Sequence, residues 1–206
     1  MGNAGAAIAT ANALNLYKPR LALLLGICAG VEAGVGDIIV TESSLNYESG
    51  KWKQEEEEHV AVFSPDPRFV QASPRLIAAL RDFGSSQKGA IAALAAEYPG
   101  GDCPKAPDFF VGPVACGSAV IESSGIVEQL HLNNRKLAAL EMESYGFLLA
   151  CRSAGHDLAY GMLKVACDTA SPPKEDRYQR YAAYLSAEVG LLFIKHEADT
   201  DGGLLG

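Results

Sequence analysis

Leu21-Ala22-Leu23-Leu24-Leu25, followed at once by Gly26-Ile27-Cys28-Ala29-Gly30, is the stretch on which the fold turns. Five apolar residues in a row, without polar alternation, are the pattern of a strand covered on both faces. The glycine-flanked pentad reads as a turn after that strand. Glycines also let backbone amides come close to a ligand. Taken alone, the pentad supports a plain structural turn as well as it supports a ligand loop.

Outward from this point, strands and helices alternate. Upstream, Asn3 is placed to cap a helix that reaches Tyr17 and is ended by Pro19. Downstream, residues 37–41 (Asp-Ile-Ile-Val-Thr) read as a second strand, Tyr47-Glu48-Ser49-Gly50-Lys51-Trp52 as a hairpin tip, and Glu55 to Glu58 as a solvated charge run. Ser73-Pro74 opens a helix to about Phe83. A second helix over 87–97 is broken by Pro99-Gly100-Gly101-Asp102. Strands are predicted over 109–116 and 119–122, and a short helix over 125–131. A strand over 138–142 leads into a helix over 143–154. One more strand covers 158–167, and a final helix covers 176–196 after Pro172-Pro173. This order predicts an α/β fold, a central sheet flanked by helices on both faces. Residues 1–198 form one domain and 199–206 a frayed, flexible tail.

Composition narrows the function. The 206 residues are 49% hydrophobic, enough for one substantial core. The formal net charge of -8 argues against nucleic acid and against an anionic membrane surface as partners, while a phosphorylated small molecule needs only a local set of donors. The five cysteines are odd in number and form no CxxC pair, so neither zinc nor a disulfide framework is expected, and a reducing cytoplasm suits them. The Ala-rich start lacks the basic region of a signal peptide, and no apolar run spans a bilayer. No GxGxxG occurs, so no dinucleotide cofactor is expected, and no other cofactor or metal is.

Ligands of open α/β sheets sit at the carboxyl ends of strands. Two more strand ends carry acids. Glu141-Met142-Glu143-Ser144 ends one apolar run, and Lys164-Val165-Ala166-Cys167-Asp168 another. Alternation along a strand puts Glu141 and Glu143 on one face with Met142 opposite. Two like charges are costly in a core unless solvent or a hydroxyl-bearing ligand relieves them. Both sites also read as helix caps or turn acids. His59, His131, His156 and His196 stand apart from any nucleophile signature, and Tyr178, Tyr181 and Tyr184 recur at helical spacing as packing residues.

In order and wording these elements resemble the nucleoside phosphorylase–nucleosidase superfamily, from Asn3 to about Phe193. Gly26 to Gly30 with Val35-Gly36-Asp37-Ile38-Ile39-Val40 is similar to its GxxGG…GDIVV element. Gly112 to Ile121 is similar to its GxxxSGDxF element, Glu141-Met142-Glu143 to its diagnostic EME, and Cys167-Asp168 to its terminal Ser-Asp. The resemblance implies a three-layer phosphorylase/hydrolase-like fold with a mixed central sheet. It implies cleavage of the N-glycosidic bond of a purine nucleoside or nucleotide. Glu143 would hold the ribose hydroxyls, and Asp168 would protonate the departing purine at N7. Met142 would pack on the sugar, Val120 and Ile121 would line the base pocket, and Cys28 and Ala29 would meet the base or sugar. Glu141 and Cys167 belong to the same binding set, and Tyr178 would cover the far side. A homo-oligomer, a dimer or larger, is implied as well.

The family's phosphorylases carry an Arg and a Ser where Leu24 and Ile27 stand, so water is the expected nucleophile. Phosphorolysis and an inert nucleoside-binding module are the alternatives. The tyrosine-rich segments around Tyr47 and Tyr178 resemble a subgroup of bacterial signalling or defence effectors that hydrolyse nucleotides. On that reading Lys164 and Arg177 would offer charge to a substrate phosphate. Ser118 stands where the family has Asp, and Cys116 and Cys167 replace common serines. The family also carries a sheet section ahead of the helix at Asn3, with a Glu that activates water. Nothing before Asn3 matches it, so the chain is expected to be a shortened member.

Overall fold

The computed structural model describes residues 2–54, 61–121, 123–170, 176–200 and 203–205. Helix α1 (Gly2–Tyr17) leads into strand β1 (Leu21–Gly30), then β2 (Ile38–Asn46), β3 (Gly50–Gln54), β4 (Ala61–Pro65) and β5 (Arg68–Gln71). Helices α2 (Pro74–Ser86) and α3 (Lys88–Ala96) precede β6 (Phe109–Cys116). Helix α4 (Ser124–Asn133), β7 (Ala139–Glu141), α5 (Ser144–Arg152) and β8 (Ala159–Asp168) follow. A 3-10 turn (Asp176–Tyr178) then opens α6 (Gln179–Asp199).

The main sheet has the order β5-β2-β6-β7-β1-β8. β1 runs parallel to β8 and β2 parallel to β6, whereas β7 is antiparallel to β1 and β5 antiparallel to β2, so the sheet is mixed. An added pairing of Ile38 to Val40 with Leu163 to Val165 joins β2 to β8 and closes the strands into a ring. Ile38, Ile39 and Val40 are completely buried because both faces of β2 are covered. Ile38 and Val40 join the core under α2, α5 and α6, with Leu76, Phe83, Leu148 and Phe193. Ile39 points the other way, onto Val114, Met162 and Ala166. Each such aliphatic side chain contributes about 1.5–3 kcal/mol by leaving water.

The alternation expected from the sequence is present, with four local differences. The pentad from Gly26 to Gly30 is not a turn. It continues β1, pairing along β8 with a bulge between Cys28 and Ala29. Gly30 is required there because a Cβ would lie 2.0 Å from the Ala33 carbonyl oxygen. Asn3 lies inside α1, and its Oδ1 accepts the Gly146 N–H of α5 at 3.1 Å. Tyr47 and Glu48 do form a turn, but Gly50 to Trp52 of the predicted hairpin tip belong to β3, which pairs with β4. Residues 119–121 form no strand but a loop. The charge run at 55–58, Glu122, His59 and Pro172-Pro173 lie outside the described residues. At the chain end Leu204 is buried and its N–H donates to Glu197 at 3.0 Å, which ties the tail down at that point.

Candidate active site

The strand ends from β1, β7 and β8 meet at one cavity of about 290 Å³. β1 contributes Ile27, Cys28 and Ala29, and β8 contributes Cys167, Asp168 and, just beyond it, Ala170. Leu140, Glu141, Met142 and Glu143 form the charged side. The rest of the lining is Ala119, Val120 and Ile121 of the loop after β6, with Tyr47 from the end of β2 and Gln179 from α6. The residues expected from the sequence to bind or react are therefore brought to one place, except Tyr178 and the two cations expected for a substrate phosphate, Lys164 and Arg177. Tyr178 is absent from the described lining, where its neighbour Gln179 stands instead. The Tyr178 ring carries the Arg177 guanidinium 5.2 Å from its centroid.

The two glutamates are held by a lysine. Lys164, on β8, lies with Nζ 2.9 Å from Glu141 Oε2 and 2.9 Å from Glu143 Oε2, its side chain 3% exposed. This ammonium, not solvent, relieves the like-charge cost. Glu141 also caps α5: its Oε2 accepts the N–H groups of Glu143 and Ser144, each at 2.9 Å. A carboxylate on the first amides of a helix is favoured by the orphan donors there and by the helix dipole. Ser144 Oγ donates to Glu141 Oε1 and lies 2.6 Å from Ser44 Oγ, from which it accepts, fixing the helix start to β2. Glu141 is thus enclosed, whereas the Glu143 side chain is 24% exposed and opens to the cavity.

Charge balance here is settled by proximity. Burial pushes the Glu143 carboxyl up, but the Lys164 ammonium and the Gly2 N–H overcome it and hold the group below the ordinary carboxylate range. Burial opposes the Lys164 charge, yet the two glutamates outweigh that and push its pKa up. Lys164 cannot turn to a substrate phosphate, which corrects that expectation. Arg177 pairs with Asp102, outside the cavity lining.

Asp168 closes β8 and is half-buried. Its Oδ1 accepts the Ala170 N–H at 2.8 Å, and the Cys167 thiol lies 3.5 Å from Oδ2. Ala170 is held at φ 55, the left-handed region, so the chain turns sharply away past the acid. Burial pushes the Cys28 thiol far above its ordinary value, which makes it a neutral wall and not a nucleophile. The remaining thiols Cys116 and Cys151 are also buried, Cys103 is exposed, and none of the five forms a disulfide.

Sequence reasoning missed Lys164 as the partner of both glutamates, and it missed Tyr47 and Gln179 as lining residues. Lys164 beside an acidic strand end was the available signal. Leu24, where a phosphorylase has Arg, packs in the apolar core. Among the described lining residues there is no Lys or Arg. A larger cleft of about 470 Å³ lies by the start of β6, lined by Arg81, Lys88 and Phe109. Arg81 pairs with Glu42, and the cleft lacks the convergent carboxylates.

Comparison with known proteins agrees with this geometry. Residues 1–189 match the family described as the phosphorylase superfamily. The protein y4jS of Sinorhizobium fredii is 30% identical over 197 residues, 94% of this chain and 47% of its own length. The ATP nucleosidase Cap17 of Escherichia coli is 22% identical, covering 95% of this chain and 40% of that protein. The chain therefore spans less than half the length of these relatives. Among solved structures, the 5′-methylthioadenosine/S-adenosylhomocysteine nucleosidase of Neisseria meningitidis, bound to methylthio-immucillin-A, superposes with a TM-score of 0.70 at 18% identity, over 95% of this chain and 78% of that one. Futalosine hydrolase of Helicobacter pylori gives 0.73 at 16% identity, over 95% and 76%. At these identities the structural likeness is one of fold: a mixed sheet flanked by helices.

Proposed function

The chain belongs to the phosphorylase superfamily, and from that premise we propose that it hydrolyses the N-glycosidic bond of a purine nucleoside or nucleotide and releases the base. The carrying observation is that Glu143 and Asp168, 25 positions apart in the chain, line one small cavity with largely apolar walls. Breaking the bond builds positive charge on the sugar and negative charge on the base. Glu143, kept ionised by Lys164, accepts hydrogen bonds from ribose hydroxyls and stabilises the cationic sugar. Asp168 acts as general acid toward N7 of the departing purine. Met142 packs on the sugar, while Cys28, Ala29, Val120 and Ile121 enclose the base. Glu141 acts from behind, fixing the start of α5.

The absence of Lys and Arg from the described lining favours water over phosphate as nucleophile. The relatives named as nucleosidases and hydrolases support the same reaction type. We place the protein in the cytoplasm as a homo-oligomer. Its free thiols support a reducing compartment, and Ile126 and Leu132, exposed on α4, support an apolar contact. Among the described residues no helix is long and apolar enough to cross a membrane.

Incubation with a panel of purine nucleosides and nucleotides, read by chromatography, tests the reaction. Free base without added phosphate is expected, and Asp168→Asn strongly lowers its release. A strict need for phosphate with formation of ribose 1-phosphate selects phosphorolysis. Thermal stabilisation by nucleosides without any product selects an inert binding module.

A further inference from the structure

Tyr47 is the single aromatic ring among the described residues lining the cavity, whose other side chains are aliphatic, sulfur-bearing, carboxylate or, at Gln179, carboxamide. The ring lies close against the backbone of the loop after β6: a Cβ on Gly117 would fall 2.2 Å from it. Below, it packs on the cluster of Leu45, Ala115 and Leu140. Its hydroxyl donates to the Ala119 carbonyl at 3.4 Å. The next residue, Glu48, accepts the Ser118 N–H at 2.7 Å. Two consecutive side chains from the end of β2 thus hold the loop that carries Val120 and Ile121, and one of them presents a ring to the cavity.

We propose that Tyr47 is the aromatic wall on which the planar base of the ligand packs, and that Glu48 is a positioning residue that fixes the opposing lip through Ser118. This assignment rests on the nucleosidase reading of the same cavity. The physical reason is that a purine gains most from a flat, polarizable partner, and no other described side chain in the lining offers one. Burial pushes the Tyr47 hydroxyl up to about 12, so it stays a neutral donor to Ala119 at physiological pH.

The test uses the full chain, with adenine and adenosine as probes in calorimetric titration, and steady-state base release. In Tyr47→Leu the Kd for adenine is expected to rise about tenfold, and KM to rise with it, while kcat falls far less. Tyr47→Phe restores most of the affinity because the ring returns. Glu48→Ala raises KM several-fold, and Glu48→Gln, which still offers an oxygen to Ser118, recovers it. A folded Tyr47→Leu protein that binds adenine as tightly as the parent overturns the assignment while the parent's base release leaves the reaction standing. A parent protein that neither binds these probes nor releases base overturns the nucleosidase reading, and the role of Tyr47 falls with it.

Discussion

The two sides of the cavity are built on different principles. On one side Glu141, Glu143 and Lys164 form a charged knot between β7 and β8, with Glu141 spent on the first amides of α5. On the other, residues 119–121 form a loop in which Val120 is 61% exposed, secured by Tyr47 and Glu48 from one strand end. The first side is made of buried charges whose positions are over-determined. The second is made of a few hydrogen bonds and a partly exposed loop. The difference is one of support: the carboxylates and their lysine sit at sheet ends, whereas Val120 and Ile121 sit on a loop.

The largest expected effect is chemical. Asp168→Asn should lower base release about 10²–10⁴-fold, the usual worth of a general acid, with an unchanged circular dichroism spectrum. Release at the parental rate would remove the acid from the charged side altogether. Next comes Lys164→Met, which leaves two enclosed carboxylates without their counter-charge. Urea unfolding should show a loss of about 3–5 kcal/mol, and Glu141→Gln in the same chain should recover part of it. A loss as small as that of a surface substitution would mean that the knot does not hold this wall.

The same knot sets a pH window. The Glu143 carboxyl is held below its ordinary 4.5, so its share of stability is present above about that pH and is lost as pH falls through the lowered value. Lys164 is held above its ordinary 10.5, so its share is present below that pH and is lost as pH rises through the raised value. Unfolding measured across pH should show both limbs, and Lys164→Met should flatten them. On the loop side, Gly117→Ala forces a methyl against the Tyr47 ring. Overpacking of that kind costs about 1–3 kcal/mol, and it should raise KM more than it lowers the melting temperature. Smallest of all, Val120→Ala should change stability by less than about 0.5 kcal/mol, read by thermal melting, because the side chain is mostly in water.

Much of the fold was legible residue by residue. The strand at 109–116 coincides with β6, and Ser73-Pro74 does open α2, although Ser73 makes no side-chain cap. The pentad after Leu25 was not legible, because glycine fits a turn and an extended close approach equally well. Only the Ala33 carbonyl against Gly30 shows which is needed. β5 escaped notice as well, being four residues with one buried side chain, Val70.

What the sequence determined by itself was the alternation of strands and helices and the acids that end two of the strands. These follow from residue type and short spacing, since backbone preference and amphipathic pattern act within a few residues. The tertiary structure alone decided that Glu141 is committed to α5 and Lys164 while Glu143 opens to the cavity, and that Tyr47 lines the same cavity from the end of β2. Pairing between charges more than twenty residues apart depends on strand register and on which groups lose their water. Neither quantity is carried by any local stretch of chain.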